Sequence, residues 1–181
     1  MFKGGDIHLE EIVKAYTGIL YNFIRRHGYN NEEAEDILQD VFVKVWKNID
    51  KFDENKSSFR TWIFTITKNA VYDSLRKTKN KELVFSLNEK DDNGNETEIE
   101  DIQADIFKII ERNQKKDLLL WSIDKLSREE KTILLLHFEE GLTFSEIGDV
   151  FDLSTNTIKS KYRRLLMKLK VILEELHQNI N

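Results

Sequence analysis

The sequence predicts an all-α protein: an N-terminal three- to four-helix unit and a C-terminal helix-turn-helix domain, joined by a flexible acidic linker. Three observations predict it. Apolar residues recur three and four apart through most of the chain, the period of helices with one buried face. Zero Pro and only seven Gly leave little material for the turns of a sandwich or barrel. Between two periodic stretches lies KTKNKELVFSLNEKDDNGNETEIEDIQAD, whose Asn, Asp, Gly and Glu content reads as a solvated linker. A chain of 181 residues has room for two small domains, and the pattern places them at residues 1–78 and 111–178, with 79–110 as linker.

In the first helix Leu9, Ile12, Val13, Tyr16, Ile19, Leu20, Phe23 and Ile24 share one stripe, and Gly28 stops it. Asn30 or Asn31 can cap the second helix. Its opening Glu32, Glu33, Glu35 and Asp36 suit the positive end of the helix dipole, and Ile37, Leu38, Val41, Phe42, Val45 and Trp46 follow as its apolar residues. A third helix starts at Ser57 or Ser58 and runs to about Arg76. On its wheel Trp62, Ile63, Ile66 and Ala70 form the core arc, while Thr61, Thr65, Lys68, Asn69, Tyr72 and Arg76 face outward.

Beyond the linker, Ile106 to Asp124 reads as helical. Ser127 with Glu130 makes a capping box ahead of the next helix, Gly141 ends that helix, and Thr143 with Glu146 makes a second box ahead of FSEIGDVF. A turn through Asp152 to Ser154 leads to a long final helix. There Ile158, Tyr162, Leu165, Leu169 and Ile172 fall on one arc, opposite Asn156, Lys159, Ser160, Arg163 and Arg164.

Charge is segregated beneath a net value of -5. Residues 56–81 carry Lys56, Arg60, Lys68, Arg76, Lys77, Lys79 and Lys81 against the single acid Asp73. Residues 155–170 carry Lys159, Lys161, Arg163, Arg164, Lys168 and Lys170 with no acid. Two basic islands flanking an acidic stretch suggest two contacts with one polyanion. The acidic stretch, residues 88–105, is itself able to lie against either island at distances within a Debye length of about 8 Å.

Zero Cys excludes disulfides, thiolate metal sites and thiol nucleophiles. His8, His27, His137 and His177 show no metal spacing, no Gly-rich phosphate loop is present, and the Glu139-Glu140 pair reads as a solvated helix end, so neither an active site nor a cofactor is expected. No apolar run is long enough to span a membrane and no signal-peptide pattern opens the chain, which reads as cytoplasmic with no membrane insertion.

Two capped helices around a tight turn, the second one basic, have the form of a helix-turn-helix. Arg can pair bidentately with guanine edges and Asn with adenine, while Ser, Thr and Lys take phosphates. A solvated basic face on a bundle helix has the same charge pattern, but not the same caps and turn. The third helix interleaves Phe59, Trp62, Phe64 and Tyr72 with Arg60, Lys68 and Arg76, a mixture suited to unstacked bases and their phosphates.

EAEDILQDVFVKVWKNIDKFD at residues 33–53 and SFRTWIFTITKNAVYDSLRK at 58–77 resemble region two of bacterial RNA polymerase sigma factors of the extracytoplasmic-function (ECF) type. LSREEKTILLLHFEEGLTFSEIGDVFDLSTNTIKSKYRRLLMKL at 126–169 resembles their region four, in the same order along the chain. The resemblance implies a transcription initiation factor that binds core RNA polymerase, directs it to promoters and stabilises melted promoter DNA. It implies polymerase docking through Asp36, Gln39, Asp40 and Lys44. The melted minus-ten strand would be held by Asn55, Arg60, Thr65, Lys68, Asn69, Tyr72 and Arg76. The duplex minus-thirty-five element would be read by Thr155, Asn156, Thr157, Lys159, Ser160, Arg163 and Arg164, and an anti-sigma factor is implied as a further partner. Where the family commonly enters its recognition helix with Pro-x-Gly-Thr, this chain has Ser154-Thr155-Asn156-Thr157. A two-domain DNA-binding regulator that works without polymerase is the alternative from another class.

Overall fold

A computed structural model describes residues 9–78, 96–113 and 116–180. The chain divides into two compact units, residues 1–86 and 87–181. Every element among the described residues is helical.

The first unit holds α1 (Leu9–Arg26), α2 (Asn31–Asn48), a single 3₁₀ turn (Ile49–Lys51) and α3 (Phe59–Thr78). α1 ends because Gly28 takes φ +91°, a conformation that an L side chain strains. Asn30 then caps α2 in a reciprocal box: its side chain accepts from the Glu33 amide at 2.9 Å, and the Glu33 carboxylate accepts from the Asn30 amide at 2.9 Å. α3 is started by Ser58, whose hydroxyl accepts from the Thr61 amide at 3.1 Å. Ile12, Leu20, Phe23 and Ile24 of α1 are buried in one core with Ile37, Val41 and Val45 of α2 and Ile63, Phe64 and Val71 of α3. Phe23 and Phe64 meet edge to face at 5.4 Å. Tyr29, in the turn between α1 and α2, donates its hydroxyl to the Val71 carbonyl at 2.9 Å and ties that turn to α3.

The second unit holds α4 (Glu96–Asn113), α5 (Lys116–Asp124), α6 (Arg128–Phe138), α7 (Phe144–Phe151) and α8 (Thr155–Ile180). Both expected capping boxes form, Ser127 with Glu130 on α6 and Thr143 with Glu146 on α7. α8 is the spine against which α4, α5, α6 and α7 all pack, and its Ile158, Tyr162, Leu165, Leu166, Leu169 and Leu173 are buried.

One sequence expectation is corrected. The reading of residues 79–110 as linker fails from Glu96 onward, because that stretch is the helix α4, docked on α8 with Ile99 and Ile106 buried. Residues 79–95 of the expected linker lie outside the described residues.

The turn between α7 and α8 explains a glycine. Asp152 takes the left-handed conformation at φ 57° and the Leu153 amide donates to the Gly148 carbonyl at 3.0 Å. This folds the chain so tightly that a Cβ on Gly148 would stand 2.7 Å from the Leu153 carbonyl oxygen. Gly148→Ala is therefore expected to destabilise the second unit by about 2 kcal/mol through backbone displacement. Gly18→Ala is the contrast. A Cβ there meets nothing within 4 Å, and helix propensity alone favours Ala by roughly 1 kcal/mol. Thermal unfolding followed by circular dichroism should move in opposite directions for the two variants.

Candidate functional site

Three surfaces carry the residues singled out from the sequence, two on the first unit and one on the second.

On α2 the core stripe of Ala34, Ile37, Leu38, Val41 and Val45 turns the opposite side outward. Asp36, Gln39 and Asp40 are exposed there as expected. With them stand two apolar residues, Val43 at 47% and Trp46 at 61% exposure. The sequence reading counted Trp46 among the apolar residues of the helix. At about 100° per residue, however, Trp46 and Val43 fall beside Gln39 and well away from Val41, and that offset was the available signal. Large apolar side chains ringed by acids and held on a rigid helix form a surface suited to a protein partner. Lys44 is only half-exposed and points to α3, its Nζ 3.7 Å from the Asp73 carboxylate. An open groove of about 590 Å³ between α2 and α3 is lined by Asp36, Asp40, Val43, Lys44, Asp73 and Arg76.

The second surface joins the turn before α3 to the outer side of that helix. Asp53 closes the turn by accepting from the Asn55 backbone and side-chain amides at 3.0 and 3.1 Å. Those bonds from Asn55, ahead of the Lys56 ammonium, hold its carboxyl below the usual range. Arg60, Asn69 and Arg76 are exposed and Thr65 is half-exposed. Trp62, expected in the core, shares their face half-buried, its ring backed by Phe52 at 5.4 Å and Phe59 at 5.5 Å. An indole so supported is a fixed platform for stacking.

Lys68 and Tyr72 correct the expectation that they face outward: they are 9% and 4% exposed. Thr61, placed on the same outward arc, is buried too. α3 packs against both α1 and α2, so it buries more than one arc, and the true outer strip runs through Trp62, Thr65, Asn69 and Arg76.

The third surface is the helix-turn-helix of α7 and α8. Ser154 caps α8: its Oγ accepts from the Thr157 amide at 3.1 Å and lies 2.8 Å from the Thr157 hydroxyl. Asn156 is exposed, and Thr155, Thr157, Lys159, Arg163 and Arg164 are half-exposed. Ser160 is the exception and corrects its expected role, being buried at 3% exposure in the packing around α8.

The basic stretch of α8 is also not bare. Lys161 meets Glu129 at 2.9 Å and Lys168 meets Glu130 at 2.8 Å, both acids coming from α6. Arg163 meets Glu98 at 2.6 Å and Lys170 meets Asp105 at 2.8 Å, both from α4. The hydrogen bond from Arg163 holds the Glu98 carboxyl below its ordinary value, and the bond from Lys170 does the same for Asp105. Tyr162, buried on the α8 stripe, has its hydroxyl pushed up to about 12 by burial, while a hydrogen bond donated by Gln103 of α4 at 2.8 Å works the other way.

Among the described residues no group of three or more His, Asp or Glu side chains is placed to hold a metal ion. No helix there is long and apolar enough to cross a membrane.

Comparison with known proteins follows the same division. Residues 12–81 match the family described as Sigma-70 region 2 and residues 122–171 match Sigma-70, region 4. The chain is 29% identical over 167 residues to the ECF RNA polymerase sigma factor SigW of Bacillus subtilis, covering 90% of this chain and 87% of that protein. It is 29% identical over 163 residues to the ECF RNA polymerase sigma factor RpoE of Cereibacter sphaeroides, covering 88% and 83%. In fold it is similar to RpoE of Bartonella quintana, solved with the anti-sigma factor NepR (TM-score 0.63, 20% identity, 91% and 96% of the two chains). It is also similar to CnrH, solved with the cytosolic domain of CnrY (TM-score 0.62, 20% identity, 92% and 88%).

Proposed function

The chain belongs to the sigma-70 family of RNA polymerase sigma factors, as an ECF member, and from that premise we propose how its surfaces divide the work of transcription initiation. As a sigma factor it binds core RNA polymerase and directs it to promoters. The outward side of α2, with Asp36, Gln39, Val43, Asp40 and Trp46, docks on the polymerase. The α3 strip of Trp62, Thr65, Asn69 and Arg76, with Asn55 and Arg60 beside it, takes the melted minus-ten strand: bases stack on the indole and cations follow phosphates. The first turns of α8, with Thr155, Asn156, Thr157, Lys159, Arg163 and Arg164, read the duplex minus-thirty-five element in the major groove.

The observation that carries this reading is the ordered pair of region-two and region-four matches, each falling on a unit whose exposed chemistry fits its task. Two relatives in fold were solved bound to partners, one of them the anti-sigma factor NepR, and on that analogy a protein inhibitor that covers these surfaces is part of the proposal. So is residence in the cytoplasm, where the polymerase works.

The test is reconstituted initiation. Purified chain and bacterial core polymerase are given a pool of templates with randomised upstream sequence, and transcripts are sequenced. Transcripts that require the chain and enrich two spaced sequence blocks are expected. A chain that binds duplex DNA yet supports no transcription with any core enzyme tried would favour the polymerase-independent regulator instead.

A further inference from the structure

We propose that α4 is an intramolecular cover for the recognition helix: Glu98 and Asp105 hold Arg163 and Lys170 as backbone phosphates would, and α4 must leave before α8 enters a major groove. This rests on reading α8 as the duplex-binding helix.

The geometry is regular. Glu98 to Arg163 and Asp105 to Lys170 are both 65 residues apart, so two carboxylates seven apart on α4 meet two cations seven apart on α8. Seven residues are two helical turns, so the helices run side by side in the same direction along that span. Ile99 and Ile106, also seven apart, are the buried side chains of the seam on the α4 side. From between the two acids of α4, Gln103 donates at 2.8 Å to the hydroxyl of Tyr162, the residue just before Arg163.

Sterics make the cover exclusive. A helix with its side chains is about 10–12 Å across, and a major groove about 12 Å wide admits one helix, not two abreast. Arg163 lies on the same face of α8 as Asn156, two turns before it, so a helix clamped to Arg163 stands on the side from which the groove would close. The cover is also built to release. Among the described side chains of α4 only Ile99 and Ile106 are buried and Phe107 is exposed, so the hold on α8 rests on a narrow apolar seam together with polar pairs that another set of acceptors can replace. Duplex DNA offers Arg163 and Lys170 phosphates in exchange for the two carboxylates.

Glu98→Gln with Asp105→Asn removes both ion pairs in the 181-residue chain and keeps side-chain volume. Its matched control is Glu100→Gln with Asp101→Asn, which changes net charge equally at two exposed carboxylates of the same helix. Binding of a short fluorescein-labelled duplex of mixed sequence is followed by anisotropy across a salt series, and Arg164→Ala is measured alongside. The contact variant should bind roughly three- to tenfold more tightly, the gain expected when a competent state that was a minority becomes the majority, and the control should change little. Equal gains in both variants would overturn the cover and leave only general repulsion by the acidic segment. No gain in the contact variant, with Arg164→Ala still weakening binding, would overturn the cover while leaving α8 as the duplex reader. If Arg164→Ala also changes nothing, the assignment of α8 fails and the cover fails with it.

Discussion

Replacing Trp46 by Ala is expected to weaken association with core RNA polymerase roughly 30-fold, about 2 kcal/mol, the scale of an aromatic hot spot at a protein interface. The indole is 61% exposed on a rigid helix, next to Val43 at 47%. Exposing so much apolar surface has no folding benefit, and burying it against a partner recovers its hydrophobic contribution. Asp36, Gln39 and Asp40 surround the pair with acceptors, so a partner with basic or donor groups at its rim is steered to this side. Asp40→Lys should act mainly on the association rate and show it most at low salt. Because these side chains stand outside the core, each variant should keep the stability of the parent within about 0.5 kcal/mol. Titration of labelled chain with core polymerase, with circular dichroism as a check of folding, decides the matter. Undiminished affinity in both variants would remove α2 from the docking surface.

Much of this architecture was legible because it is written locally. The two expected capping boxes depend on residue pairs three apart, Ser127 with Glu130 and Thr143 with Glu146, and both form, while Asn30, one of the two caps open to α2, adds a third box with Glu33. What escaped the sequence reading depends on residues far along the chain. Glu96–Asn113 looks like linker because acids crowd it, yet Ile99, Ile102, Ile106 and Ile109 keep a helical period, and the helix becomes worthwhile once α8 buries part of that stripe and Arg163 and Lys170 offset its charge.

α3 misled for a different reason. Its Thr67 is buried because its hydroxyl donates to the Ile63 carbonyl one turn back at 2.8 Å, and the Thr61 hydroxyl lies 2.8 Å from that of Ser58. Polar side chains satisfied within their own helix can face a core. A wheel that sorts by polarity therefore rotated the helix, hiding Lys68 and Tyr72 and undervaluing Trp62. On α8 the basic run read as an open face because the acids that meet it, Glu98, Asp105, Glu129 and Glu130, belong to other helices.

Arg164→Ala should weaken binding to the upstream duplex by about 1–3 kcal/mol, and by more than Arg163→Ala does in the same protein. Both arginines lie about two turns beyond the opening of α8, and the hydrogen bond from Arg163 to Glu98 at 2.6 Å ties that side chain to α4. Removing Arg163 loses a DNA contact and at the same time loosens α4, two effects of opposite sign on affinity. The comparison becomes clean in a double-mutant cycle. With Glu98 already changed to Gln, Arg163→Ala should show its full cost, larger than in the parent chain. The kind of contact separates in the same measurements: a bidentate guanine contact relaxes discrimination at one base pair, whereas a phosphate contact weakens every sequence alike and lowers the salt slope by about one. Anisotropy titrations on the enriched duplex and its single-base variants, at several salt concentrations, read all of these quantities. Identical costs for Arg163→Ala with and without Glu98 would mean that the 2.6 Å pair has no influence on how α8 meets DNA.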